Sequence, residues 1–265
     1  MVELIKPYLA ALLQKGMRED GRGLLDYRDV DVEINPIARA CGSARVKLGE
    51  TEVLVGVKMD VDVPFPDSPD EGILIVNAEL APLSNPEFEP GPPSPAAIEL
   101  ARVVDRGVRE SGAVDFSKLC IKPKEKVWVL FIDVYPINDN GNLFDAAALG
   151  AIAALKNAVI PKYDEKEERV LYEEFTKEKL PMKQLPILTT FAKLSGAIFV
   201  DVTKREENVA DARLSIATLE NETISAMQKG GTGTFTEDEI LQIYDYAVET
   251  GKKLRKLLNK PLTKP

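Results

Sequence analysis

An α+β fold, two similar halves each running strands then helix with helices packed on mixed sheets, follows from three observations. Short segments that alternate polar and apolar residues sit between Gly or Pro punctuation in both halves of the chain. Each series is followed by a run with apolar residues at helical intervals, and a stretch dense in Lys and Glu separates the two. Strands followed by helices imply helix-on-sheet layers. The expected organisation is an N-terminal helix plus first half at 1–160, a charged connector at 161–185 and a second half at 186–265, forming one compact unit.

Taken in order, residues 1–16 are apolar at helical spacing but carry Glu3, Lys6 and Lys15. They read as a helix rather than a signal peptide. Residues 29–34, 43–47 and 52–58 have the alternation of half-buried antiparallel strands, and 73–80 supplies another. A loop rich in Pro, Ser and Glu covers 82–95. Pro95 is placed to open a helix at its first turn, and Ala97, Leu100, Ala101, Val104 and Val108 give that helix its buried face. A strand at 126–137 and a helix at 145–160 complete the first half. Residues 161–186 read as an exposed connector with a short strand near 170–175. The second half holds strands at 188–194, 197–203, 212–219 and 223–229. Its closing helix starts with a capping-box spacing, Thr236 and Glu239, and has a stripe of Ile240, Leu241, Tyr244, Ala247, Val248, Leu254 and Leu257.

The 265-residue chain is 45% apolar and 29% charged, enough to bury a substantial core without staples. Its formal charge of −9 opposes any general attraction to nucleic acid, so RNA contact would need a local cluster of arginines. There is no histidine, which removes Ser-His and Cys-His triads, His metal ligands and the commonest general base. Cys41 and Cys120 lack partner spacing and read as small core residues. No run approaches the roughly 20 apolar residues of a membrane span. A soluble, cytoplasmic protein without cofactor or metal is expected.

Residues 139–145, Asp-Asn-Gly-Asn-Leu-Phe-Asp, join a strand to a helix start. Such a junction favours an anion, and a working phosphate site adds Arg, Lys or a hydroxyl. This loop adds none, and Asp145 is placed to take the helix dipole for itself. An ordinary Asn-Gly turn is the competing reading. Arg102, Arg106 and Arg109 fall within roughly 60° of one another on a helix. They make either a solvated face laced by Asp105–Arg109 and Arg106–Glu110 pairs or a track for successive phosphates. The stretch Lys229-Gly230-Gly231-Thr232-Gly233-Thr234 lacks Walker spacing and reads as a turn. Asp60, Asp62, Asp67, Asp70 and Glu71 are loop charges, because Phe65 stands where a calcium loop needs Gly.

Arg18-Glu19-Asp20-Gly21-Arg22 resembles the Arg-x-Asp-Gly-Arg opening of the RNase PH family. The likeness continues through residues 48–54, Leu-Gly-Glu-Thr-Glu-Val-Leu, through 102–109, and through 231–236, Gly-Thr-Gly-Thr-Phe-Thr. It spans nearly the whole chain. Asn85-Pro86-Glu87, Gly91-Pro92-Pro93-Ser94 and the 136–142 loop most resemble the non-catalytic RNase PH-like subunit of the archaeal exosome.

The resemblance implies an RNase PH-type fold and, for active members, phosphorolysis of RNA. Active members carry a Gly-Ser/Thr-Arg clamp where this chain has Gly141-Asn142-Leu143. They also carry two aspartates about six residues apart, which align with Glu207 and Arg213, with Asp211 as an alternative to the second. The implied state is catalytically silent, with no catalytic residue. The implied partners are a catalytic RNase PH-like subunit, in a hetero-hexamer of three heterodimers, together with RNA-binding cap subunits and single-stranded RNA. Arg102, Arg106 and Arg109 align with a substrate-facing arginine helix and are the candidate RNA-binding residues, although pairing with Asp105 also accounts for Arg109.

Overall fold

The computed structural model describes residues 2–259. A first helix, α1 (Val2–Leu13), precedes β1 (Val30–Ile34), β2 (Gly42–Leu48), β3 (Thr51–Asp62) and β4 (Ile73–Ala78). Then follow α2 (Pro95–Arg109), a 3-10 turn at Phe116–Leu119, β5 (Cys120–Lys122), β6 (Lys126–Asn138) and α3 (Leu143–Asn157). The strands order as β1-β2-β3-β6-β4, with β5 also on β6. Only β4 runs parallel to its neighbour.

The layout departs from expectation in several places. Strand β3 runs on to Asp62, so Asp60 and Asp62, expected as loop charges, are strand residues, and neither β5 nor a short helix at Lys204–Glu207 was expected. The helix expected to reach residue 160 stops at Asn157, and β7 (Val159–Asp164) begins two residues later. The charged stretch expected as an exposed connector with a short strand near 170–175 forms a hairpin, in which β8 (Arg169–Lys179) contains that strand and pairs with β7. Val159 and Ile160 continue the apolar pattern of the helix in sequence, yet β-branched side chains suit a pleated strand. The hairpin docks on the first sheet through Tyr172, whose hydroxyl donates to Asp60 at 2.8 Å while Lys58 lies over its ring at 4.6 Å.

The second half holds β9 (Ile187–Leu194), β10 (Ala197–Val200), a short helix α4 (Lys204–Glu207), β11 (Ala212–Thr218), β12 (Ile224–Gly231) and α5 (Glu237–Asn259). Its sheet, β10-β9-β11-β12, is antiparallel throughout rather than mixed. The expected capping box opens α5: Thr236 N–H donates to Glu239 at 2.7 Å, and Glu239 N–H donates back to the Thr236 hydroxyl at 3.3 Å. The expected stripe is out of phase near its start. Leu241 is exposed, whereas Ile243 is fully buried, because Ile240, Ile243 and Ala247 face β9 and β11.

Helix α3 sits between the layers, against β2 and β3 on one side and β9 on the other. Every residue from Leu143 to Leu155 is buried, as an Ala/Leu-rich helix with no polar face requires. Both cysteines are free; Cys41 is in the core, and Cys120 is only half-buried.

Candidate functional site

The strand-to-helix turn between β6 and α3 is shaped by two unusual backbone positions. Asn142, the N-cap of α3, is left-handed at φ 60°, ψ 42°. Gly141 has φ 85°, and a Cβ there would stand 2.5 Å from the Thr203 and Val202 backbone. Only glycine lets the loop press this closely on the start of α4. Leu143, which the resemblance sets against the clamp arginine of active members, is buried in the main core.

A cation does reach the loop, but not from a residue the motifs singled out. Lys204, at the start of α4, places its Nζ 2.7 Å from Asp139 and 3.2 Å from Glu207. Burial alone would lower the Lys204 pKa, yet the Glu207 and Asp139 carboxylates overcome it and raise it. Asp139 further accepts from Asn85 Nδ2 at 2.8 Å and from Gly141 N–H at 3.1 Å. Burial raises the Glu207 carboxyl above its ordinary value, with Lys204 opposing.

Arg213, on β11, pairs with Glu99 of α2 at 2.5 Å and lies 4.0 Å over the Phe144 ring. Asp211, the alternative acid, turns elsewhere, accepting from Lys6 at 2.6 Å and Ser195 N–H at 2.8 Å. Arg28 also reaches the loop, donating to the Asn140 and Gly141 carbonyls at 2.9 and 3.1 Å, and is held by Asp201 at 2.7 Å. Lys204, Arg213 and Arg28 are thus each already paired with a carboxylate, which opposes an incoming phosphate. Sequence reasoning missed Lys204, and it singled out the loop that Asp139 opens without giving that carboxylate a role. The Thr203–Glu206 capping box, now seen in α4, was the available signal for Lys204.

Asp145 stands in the first turn of α3, as expected, but its carboxyl is bonded to groups outside the helix's own N–H donors. Its Oδ2 accepts from the Tyr27 hydroxyl at 2.7 Å, Asn142 Nδ2 at 3.0 Å and Thr190 N–H of β9 at 3.1 Å. Burial pushes its carboxyl up to about 6, those donors only partly offsetting the effect. The native state therefore holds this proton more tightly than the unfolded chain. Its contribution is fully present below the unfolded value of 3.8 and is lost as pH rises through about 6, a span equivalent to about 3 kcal/mol. Urea unfolding at pH 4 and pH 7.5 should show Asp145→Asn gaining most of that, about 2 kcal/mol, on the wild type between the two. A pH-independent difference would refute the assignment.

The candidate arginines separate into two groups. Arg102 and Arg106 line an open groove of about 540 Å³ between α2 and β4, together with two acids, Asp105 and Glu110, and with Asn77 and Ile98. Arg109 is not in that lining; it clasps Asp105 at 2.7 Å and donates to the Leu74 carbonyl at 3.0 Å. The Asp105 bond, the leading cause, raises the Arg109 pKa. The Arg106–Glu110 pair expected from spacing gives way to a bond from Arg106 Nη1 to Gln228 on β12 at 3.2 Å. Arg102 has no hydrogen bond or ion pair among the described residues.

Fold and loop together define the class: the chain belongs to the 3′ exoribonuclease family of RNase PH type, whose domain 1 matches residues 26–161 and domain 2 residues 184–250. The resemblance drawn from the motifs therefore holds. The exosome complex component Rrp42 of Methanosarcina acetivorans is 48% identical over 261 residues, covering 98% of this chain and 96% of that protein. Rrp42 of Thermococcus onnurineus is 49% identical over 258 residues, 96% and 94% of the two. A chain of the Archaeoglobus fulgidus exosome with RNA bound to the active site superposes with TM-score 0.87 at 44% identity, covering 96% and 98%. A chain of an archaeal exosome core gives 0.86 at 40% identity, covering 98% of each. No described helix is long and apolar enough to cross a membrane.

Proposed function

We propose that this chain is a non-catalytic structural and RNA-binding subunit of a cytoplasmic archaeal exosome. It pairs with a catalytic RNase PH-like subunit, three such pairs close a hexameric ring that degrades RNA 3′ to 5′, and RNA-binding cap subunits sit on that ring. The observation that carries this reading is the state of the phosphate loop. Leu143 is buried, and Lys204, the one lysine among the described residues that reaches the loop, is held by Asp139 and Glu207.

Phosphorolysis joins an anionic nucleophile to an anionic ester, so cations must hold both, and a carboxylate must manage a metal or proton. Here the cations are neutralised from within and Arg213 stands at the position aligned with the second acid. Arg102 and Arg106, exposed along one groove, supply RNA contact instead, holding phosphates near the partner's site. Arg109 belongs less to this surface, since its guanidinium is spent on Asp105.

The purified chain, incubated alone with poly(A) and inorganic phosphate, should release no nucleoside diphosphate above a no-protein blank. Release at the rate of an active relative would establish the competing reading, a phosphorolytic 3′–5′ exoribonuclease acting through Glu207 and Asp211.

A further inference from the structure

On α2, Arg102 has an acid three residues to either side: Glu99 before it and Asp105 after it. Residues three apart on a helix are neighbours, so either carboxylate could close on Arg102 and cancel its charge. Neither does. Asp105 is taken by Arg109 at 2.7 Å, and Glu99 is drawn off the helix to Arg213 on β11 at 2.5 Å. The position four residues beyond Glu99 is Val103, buried, so Arg102 is the only cation of α2 within Glu99's reach along the helix.

Arg213 is built to hold this carboxylate. Its guanidinium is braced against the Phe144 ring, its side chain is only 20% exposed, and it donates to Glu99 through Nη2. A braced, partly desolvated guanidinium binds a carboxylate more firmly than a mobile surface arginine on the same helix could.

We propose that Arg213 is a positioning residue for RNA binding: by sequestering Glu99 it keeps Arg102 open to a phosphate of single-stranded RNA. This rests on the reading of Arg102 as an RNA contact. The exchange of an acid for an arginine at this position then gains a function at the neighbouring helix besides losing one at the loop.

The test uses the complex reconstituted with its catalytic partner, and a fluorescein-labelled oligoadenylate titrated by anisotropy over a range of salt. Arg213→Met should weaken binding about three- to tenfold and reduce the log-log salt slope by about 0.7, the value of one phosphate contact on a single strand. Adding Glu99→Gln should restore both, and Arg213→Lys should keep most of the affinity. Glu99→Asp, a mild change at a half-exposed helix position, retracts the carboxylate from Arg213 but leaves it beside Arg102. It should give the same loss even if Arg213→Met does not assemble.

Arg102→Ala should match Arg213→Met, and the two together should cost no more than either alone. If Arg102→Ala weakens binding while Arg213→Met and Glu99→Asp do not, the sequestration is wrong and the RNA contact stands. Loss in Arg213→Met that Glu99→Gln fails to restore also overturns it, since packing on Phe144 would then be responsible. If Arg102→Ala changes nothing, both readings fall.

Discussion

Replacing Asp201 with asparagine should lower the unfolding free energy by about 3–5 kcal/mol, the cost of leaving buried charges without their counterion. Asp201 is fully buried and collects donors from three directions. Its Oδ2 accepts from Arg22 Nη1 at 2.8 Å, Arg28 N–H at 2.8 Å and Arg28 Nε at 2.9 Å. Its Oδ1 accepts from Arg28 Nη2 at 2.7 Å and Asn142 Nδ2 at 3.0 Å. Burial by itself would raise this carboxyl, but the bonds and charge of Arg28 outweigh it and hold it below its ordinary value.

Arg28 in turn grips the turn before α3, donating to the Asn140 carbonyl at 2.9 Å and the Gly141 carbonyl at 3.1 Å. Losing the Asp201 charge therefore releases two arginines and the loop together. Asparagine keeps the shape and tolerates the left-handed φ of 47° at this position, so the loss reports charge rather than strain. Because the native pKa is depressed, the stabilisation is present above the unfolded value and disappears as pH falls through the native one. Urea titration at pH 7 measures the effect. A loss under about 1 kcal/mol would mean the arginines find other partners or water.

The double variant Arg102→Glu with Arg106→Glu should slow RNA degradation by the reconstituted complex at least tenfold, leaving assembly intact. Losing two phosphate contacts removes about 1.4 from the log-log salt slope on a single strand, before counting the repulsion added by two new carboxylates. Both side chains are exposed, so the variant chain alone should keep its stability within about 0.5 kcal/mol. Degradation time courses with size-exclusion profiles separate the two effects. Unchanged rates in an intact complex would remove these arginines from the RNA path.

Much of the layout was legible in the sequence because local signals and burial agreed. Helix α2 runs close to its expected limits, opened by Ser94, whose hydroxyl accepts from Ala97 N–H at 3.2 Å, and by Pro95 at its first turn. Of the hairpin at 159–179 only the short strand near 170–175 was legible, inside β8; Lys and Glu crowd the rest of the stretch, and Tyr172 takes its role from a distant Asp60. Likewise Leu143 and Arg213, the latter with Asp211 as an alternative alignment, were read as departures from the family's motifs along the chain. Their consequences could not be read there: Lys204 meets Asp139 across 65 residues and Arg213 meets Glu99 across 114. Pairings of that range are fixed by topology, which no local pattern encodes.

Helix α3 carries a consequence for how the molecule comes apart. With apolar side chains facing both sheets, it is a wall shared by two rooms, and removing either leaves an oily surface in water. A chain severed within the β7–β8 hairpin should keep its pieces together, and heating should melt them in one step, neither piece outliving the other.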